Sequence, residues 1–313
     1  MGAASGLNGG LSVAIMTDET GWHTARLRTA LRERGCSSRC VDLADCRFET
    51  TWSAQGLVIP GYGRGLPDAV IVRGIAGGTF EQVTLRLGIL HALRECGVVV
   101  YNDARAIERS VDKAMTAFLL HRAGVATPAT WTSESAVHAR RRVMREAAAS
   151  REVVLKPLFG SQGKGLQRLG DAALPDLQAY GSVAHLQRFV PAAQGPGYDW
   201  RILVIGGQAV ASMRRVGRSW IHNAALGARC IADDAPARLK RLAIRASAAL
   251  GLDYAGIDLV PDDKADEGAQ VLEVNGIAAW RNLQKATGTD IAPLLVDDLL
   301  QRRLPKSASG RAA

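Results

Sequence analysis

The first hundred residues of this chain constrain its fold most, because short apolar runs there alternate with helical patterns. LSVAIM at 11–16, DAVIVR at 68–73 and VVVY at 98–101 carry the near-continuous apolar character of strands buried on both faces. Between them, 22–34 follows helical spacing up to Gly35, and 79–96 does so up to Gly97. Shorter strands are expected at 38–43 and 55–60. Parallel strands need crossover connections, which helices supply, so the pattern implies a doubly wound parallel sheet. No G-x-G-x-x-G opens the first helix, so the dinucleotide fingerprint is absent.

From about residue 104 the pattern changes. Helices are expected at 110–123 and 133–150, followed by a strand at 152–157 that Pro157 halts. A glycine-rich turn leads to a returning strand at 165–169, and another strand follows at 185–190. Segments 199–205 and 208–216 form a hairpin about Gly206-Gly207, then come a helix at 235–250 and a hairpin of 254–261 with 269–274. A final helix spans 290–302. The chain thus divides into an α/β segment at 1–104, a central segment at 105–186, a C-terminal segment at 187–304 and a small polar tail at 305–313, expected to be disordered.

Three constellations carry chemistry. The first is Gly160-Ser161-Gln162-Gly163-Lys164-Gly165, four residues after Lys156. Its glycines let backbone N–H groups approach an anion, though a flexible hairpin with no ligand has the same composition. It is not a Walker A loop, because Gly follows the Gly-Lys pair where Ser or Thr is required. The second pairs Asp258, in the apolar run GIDLV, with Glu273 and Asn275 in VLEVN. Glu273 and Asn275 share a strand face, and with Asp258 opposite they make a hard-oxygen set suited to Mg²⁺ on nucleotide phosphates. Charges on a solvated edge are the alternative. The third is Asp199-Trp200-Arg201 with Arg214-Arg215 and His222-Asn223. Arg201 and Arg214 are expected to face each other across the hairpin, where they suit an acyl phosphate or carboxylate; otherwise they are surface cations.

Charge narrows the field less. The net charge is +9, from 39 cations of which 32 are Arg and 7 are Lys. The densest basic run, 139–145, lies in a helical stretch and reads as a solvated face, so a nucleic-acid surface is disfavoured. Five cysteines form no C-x-x-C, and Cys36, Cys40 and Cys46 fit no standard zinc spacing, so free thiols are expected. No run long enough to span a membrane occurs, and the N-terminus lacks a secretory pattern, which makes the cytoplasm the expected compartment.

The order of these motifs resembles the ATP-grasp carboxylate–amine ligases, in the branch that adds glutamate to ribosomal protein S6 or to tetrahydromethanopterin-type cofactors. The resemblance rests on Ser110-Val111-Asp112-Lys113, Val154-Leu155-Lys156-Pro157, the 160–165 loop, Leu186-Gln187-Arg188-Phe189, Asp199-Trp200-Arg201 and Leu272-Glu273-Val274-Asn275, in family order over roughly residues 100 to 300. It implies an ATP-grasp fold: an N-terminal pre-ATP-grasp sheet domain and two α+β subdomains clasping ATP. Lys113 and Lys156 look like the phosphate lysines. Gly160, Ser161, Gln162 and Gly163 look like the lid over the triphosphate. Gln187, Arg188 and Phe189 look like the adenine segment, and Asp199 and Asn223 like nucleotide contacts. Asp258, Glu273 and Asn275 look like the Mg²⁺ ligands, with Mn²⁺ an alternative metal, and Arg201, Arg214 and Lys156 like the groups at the acyl phosphate.

The implied reaction is ATP-dependent amide formation through an acyl phosphate, with glutamate as the amine. The implied acceptor is a pterin or furan cofactor, or else a protein terminus. A homo-oligomer is compatible with the chain. The chain departs from the family at Arg188, where Glu is usual, and at Gly276 to Arg281, which replaces Ser-Pro-Gly. There Trp280 either stacks on a flat acceptor ring or packs in the core. A basic nucleic-acid module and a non-catalytic nucleotide-binding relative are the rival classes; the intact oxygen set argues against the second.

Overall fold

The structure, a computed structural model, describes residues 10–304 apart from 52, 161–162, 171–173, 193–194, 196 and 218. Two compact units emerge, one formed by Met1–Arg105 with Asp290–Ala313 and the other by Ala106–Thr289.

In the first unit the alternating pattern gives β1 (Ser12–Met16), α1 (Trp22–Glu33), β2 (Ser37–Val41), a small antiparallel pair of β3 (Arg47–Phe48) and β4 (Leu57–Val58), then β5 (Ala69–Val72), α2 (Phe80–Glu95) and β6 (Val99–Tyr101). The sheet order is β2-β1-β5-β6 with every pairing parallel, as continuous apolar strands require. Val13 to Met16 and Ala69 to Val72 are fully buried.

The central region begins with α3 (Ala104–Val111) and α4 (Lys113–Arg122). One helix was expected here. Asp112 divides it, because its carboxylate accepts the N–H groups of Ala114 and Met115 at 2.8 and 3.0 Å and so caps a new helix. A first sheet follows, built from β7 (Thr130–Ser133), β8 (Val153–Lys156), β9 (Gln167–Leu169) and β10 (Ala184–Arg188) in the order β7-β10-β8-β9, with α5 (Ala136–Ala148) on one face. A second sheet comprises β11 (Tyr198–Ile205), β12 (Gln208–Val216), β13 (Arg229–Ala232), β14 (Tyr254–Pro261) and β15 (Ala269–Asn275) in the order β13-β12-β11-β14-β15. Its apolar face packs on α6 (Ala237–Leu250). The short elements β7, β13 and α7 (Arg281–Thr287) were not expected from the sequence.

The last helix, α8 (Ile291–Asp298), belongs to the first unit rather than to the C-terminal segment expected at 187–304. Its Ile291, Ala292, Leu295 and Val296 are buried, and Asp297 accepts both Nε and Nη2 of Arg34 on α1. The expected disordered tail at 305–313 lies outside the described residues. Cys36 and Cys46 are buried free thiols, and burial pushes the Cys46 thiol up to about 12.

Candidate active site

The first sheet of the central unit sorts its residues by strand alternation. Trp131, Val153, Leu155, Ala184, Leu186 and Leu169 face α5 and form a core. Residues of the other parity form a polar face: His185 stands opposite both Thr132 and Lys156, and Gln187 opposite both Thr130 and Val154. On that face the Lys156 Nζ donates to Gln187 Oε1 at 2.6 Å, and Gln187 Nε2 donates to Thr130 Oγ1 at 3.4 Å. Gln187 is thereby fixed from both sides, and it fixes Lys156 in turn.

On the second sheet, Asp258 and Glu273 are register partners, and Gly256 pairs with Asn275. The three oxygen-bearing side chains therefore share a face. Glu273 acts on both lysines: burial lowers the pKa of Lys113 and brings Lys156 down to about 8, while the Glu273 charge opposes both shifts. A cleft of about 750 Å³ joins these groups and is lined by Lys156, Gln187, Asp199, Arg215, Asp258 and Glu273. Beneath the glycine loop a smaller chamber of about 80 Å³ is lined by Lys113, Lys156, His185 and Glu273.

The structure corrects the arginine assignment. Arg214 lies opposite Trp200, beside the aromatic rings of Tyr198 and Trp200, and pairs with Asp233 at 2.6 Å. It does not face Arg201. The residue that joins Arg201 and Asp199 is Arg215, which lies opposite Asp199 and donates to both its oxygens at 2.7 and 2.6 Å. The cause is a bulge between Leu203 and Val204. One extra residue in β12 flips the parity of everything beyond it, so Arg215 takes the face the turn alone assigns to Arg214.

Asp258 is the hub of this charge network. Arg201 donates to both of its oxygens, at 2.8 Å for Nη2, and Arg215 Nη2 lies 2.9 Å from Oδ2. Burial favours the neutral acid, but the two guanidiniums outweigh it and hold Asp258 below the usual carboxylate range. Arg201 fits against β14 because Gly256 is there: a Cβ at that position would stand 3.2 Å from its Nη1.

The proposed metal donors are therefore unequal. Glu273 has no hydrogen-bond partner among the described residues. Asn275 spends its Nδ2 on the Gly256 carbonyl at 3.2 Å, which leaves its oxygen available. Asp258 would share its carboxylate with Arg201 and Arg215. Two or three oxygens beside a pair of lysines fit Mg²⁺, which takes few protein ligands and completes its shell with phosphate and water.

The remaining candidates divide. The Lys113 Nζ donates to the carbonyls of Gly160 and Leu158 at 2.8 and 3.4 Å, tying α4 to the glycine loop. Gly163 lines both cleft and chamber, whereas Ser161 and Gln162 lie outside the described residues. Phe189 meets Trp220 edge-on at 5.8 Å and carries the Arg168 guanidinium 4.1 Å above its ring. Asn223 lines the cleft while its Oδ1 caps the turn at Ala225 N, 2.8 Å away.

The Arg188 side chain is turned to the α5 side, where it pairs with buried Glu146 at 2.9 and 3.1 Å. Arg188 also lines the cleft. Trp280 is fully buried and belongs to the core, so it offers no stacking surface to an acceptor.

The sequence pointed to the Arg214-Arg215 pair but gave the facing role to Arg214, and it did not single out Glu146 or His185. Alternation along β10 could have separated Gln187 from Arg188, because residues of opposite parity face opposite sides.

Two facing sheets, paired lysines beneath a glycine loop and carboxylates on the opposing strands define the ATP-grasp class. Comparison with known proteins agrees. Residues 110–299 match the RimK-like ATP-grasp domain, and residues 11–107 match the RimK PreATP-grasp domain. The chain belongs to the RimK-like ATP-grasp family. It is 29% identical to the tetrahydromethanopterin:alpha-L-glutamate ligase of Methanosarcina acetivorans, over 92% of this chain and 98% of that protein. It is 31% identical to a probable alpha-L-glutamate ligase of Halorhodospira halophila, over 91% and 93%. The fold also resembles the ATP-grasp ligase PsnB in complex with a minimal precursor, with a TM-score of 0.72, 22% identity and coverage of 93% and 98%. For the D-cycloserine synthetase DcsG the TM-score is 0.68, with 21% identity and coverage of 93% and 99%.

Proposed function

We propose that this protein joins the amine of L-glutamate to a carboxylate on a small cofactor of the pterin or furan class, using ATP. The cleft lined by Lys156, Arg215 and Glu273, with the adjoining chamber where Lys113 meets Lys156 and Glu273, carries the nucleotide part of this reading. The glutamate and the pterin-type acceptor rest on the names of relatives near 30% identity.

In the proposed reaction the acceptor carboxylate oxygen attacks the γ-phosphorus of ATP. The bond from that phosphorus to the β–γ bridging oxygen breaks, giving ADP and an acyl phosphate. The glutamate nitrogen then attacks the acyl carbon, loses a proton and expels phosphate, leaving an amide. Lys156, held by Gln187, and Lys113, held at the loop, offset the charge of the phosphates. A bound Mg²⁺ would neutralise phosphate charge and polarise the γ-phosphoryl group. Glu273 and Asn275 would hold it, with Asp258 contributing while it anchors the arginines. Arg201 and Arg215, fixed from below by Asp258 and Asp199, would orient a carboxylate or acyl phosphate.

The test is an ADP-release screen over amino acids and carboxylate acceptors, pterin and furan cofactors and C-terminal peptides included, with mass spectrometry of the products. Acceptor plus one glutamate, with matching ADP, is the expected result. Absence of glutamate-dependent ADP release with every acceptor class would overturn the reading. Glu273→Gln should lose at least two orders of magnitude in turnover while keeping its thermal midpoint within a few degrees.

A further inference from the structure

His185 is the buried polar group on the cleft face that the mechanism above does not use. It is 1% exposed and stands opposite Lys156 in the pairing of β10 with β8, and opposite Thr132 in the pairing with β7. Its Nδ1 lies 2.8 Å from Thr132 Oγ1, its one hydrogen-bond partner among the described residues. The two nitrogens of an imidazole point to opposite sides of the ring. Fixing Nδ1 on Thr132 therefore turns Nε2 away from β7 and toward the Lys156 side. There the ring lines the chamber under the glycine loop, together with Lys113, Lys156 and Glu273.

We propose that His185 is a further phosphate-binding residue, whose neutral ring donates Nε2–H to a nucleotide phosphate oxygen beside Lys156. In this proposal the Thr132 hydroxyl, which is exposed and can donate, gives its hydrogen bond to Nδ1 and leaves the ring proton on Nε2. Burial, and then the charges of Lys156 and Lys113, push the ring down to about 3, so it stays neutral through the working pH range. A neutral donor suits the position. A third cation packed against two half-buried ammonium groups would be repelled in the free protein, whereas an N–H dipole adds a directed hydrogen bond at little electrostatic cost. Without a phosphate, Nε2–H would be a donor lacking a protein partner, the usual mark of a group kept for a ligand.

The proposal rests on the nucleotide reading, and the experiment separates the two. An Asn amide reproduces the Nδ1 position of His and a Gln amide the Nε2 position. Binding of Mg-ATP, inorganic tripolyphosphate and adenosine is measured by calorimetry for wild type, His185→Gln, His185→Asn and His185→Leu. Wild type and His185→Gln should bind Mg-ATP and tripolyphosphate within about threefold of each other. His185→Asn and His185→Leu should lose about tenfold for both, the scale of one hydrogen bond to a charged group, with adenosine binding unchanged. Equal binding of ATP by wild type and His185→Asn would overturn the role of His185 and leave the nucleotide reading standing. Equal losses for adenosine and ATP would also overturn it, since they mark a deformed cleft. Failure of the wild-type protein to bind ATP would sink both.

Discussion

Lys156 carries its charge where burial, opposed by Glu273 and reinforced by Lys113, leaves its pKa at about 8. An ammonium that releases its proton there loses its attraction for phosphate as the solution turns alkaline. Mg-ATP affinity should therefore weaken as pH rises through about 8, and Lys156→Arg should flatten that slope because a guanidinium stays charged; calorimetry between pH 7 and 9.5 checks both. Arg214 and Arg215 are adjacent in sequence and differ wholly in setting. Arg215→Met strands Asp199 and part of Asp258 as buried charges and should cost about 3–5 kcal/mol in urea unfolding. Arg214→Met breaks only a partly exposed pair and should cost about 1 kcal/mol or less. Glu273, and Lys156 at the end of its strand, were legible because a polar residue in an apolar strand is conspicuous, whereas Lys113, the first residue of α4, was picked out only by the family resemblance. That Arg215 rather than Arg214 faces Asp199 was not legible. The face of Arg215 is set by the bulge at Leu203/Val204, and no residue type announces that extra position.

The cleft depends on how α5 meets the end of β10. Glu146 is 2% exposed on that helix and accepts hydrogen bonds from Arg151 and from Arg188, the last residue of the strand that carries Gln187. Burial pushes its carboxyl up, but Arg151 and Arg188 outweigh this and bring it down to about 2. A folded-state pKa below the ordinary 4.5 adds stability above that value, and the addition disappears as pH falls from 4.5 toward 2. The gap in thermal midpoint between wild type and Glu146→Gln should thus be widest above pH 5, narrow steadily below pH 4.5 and close only near pH 2. At this scale the long strands and helices could be read from periodicity. β7, β13 and α7 could not, because four to seven residues give too few repeats to separate strand, helix and loop.

The first unit is not contiguous in sequence. Its sheet forms within Met1–Arg105, but α8 returns to it after the whole central unit has been traversed. Burying Ile291, Leu295, Val296 and Leu299 is worth roughly 1.5–3 kcal/mol each, comparable with the entire margin of about 5–15 kcal/mol by which a domain is stable. A chain ended at residue 289 should lose hydrogen-exchange protection in β1 and β5 and keep it in β11 and β14. The return was hidden in the sequence because an apolar terminal helix does not reveal which core it serves. It also bears on biosynthesis. The strands of this sheet are made before the central unit and α8 after it, so the later-made central unit can finish first, and the earlier segment is the one in need of protection while the nascent chain is still being extended.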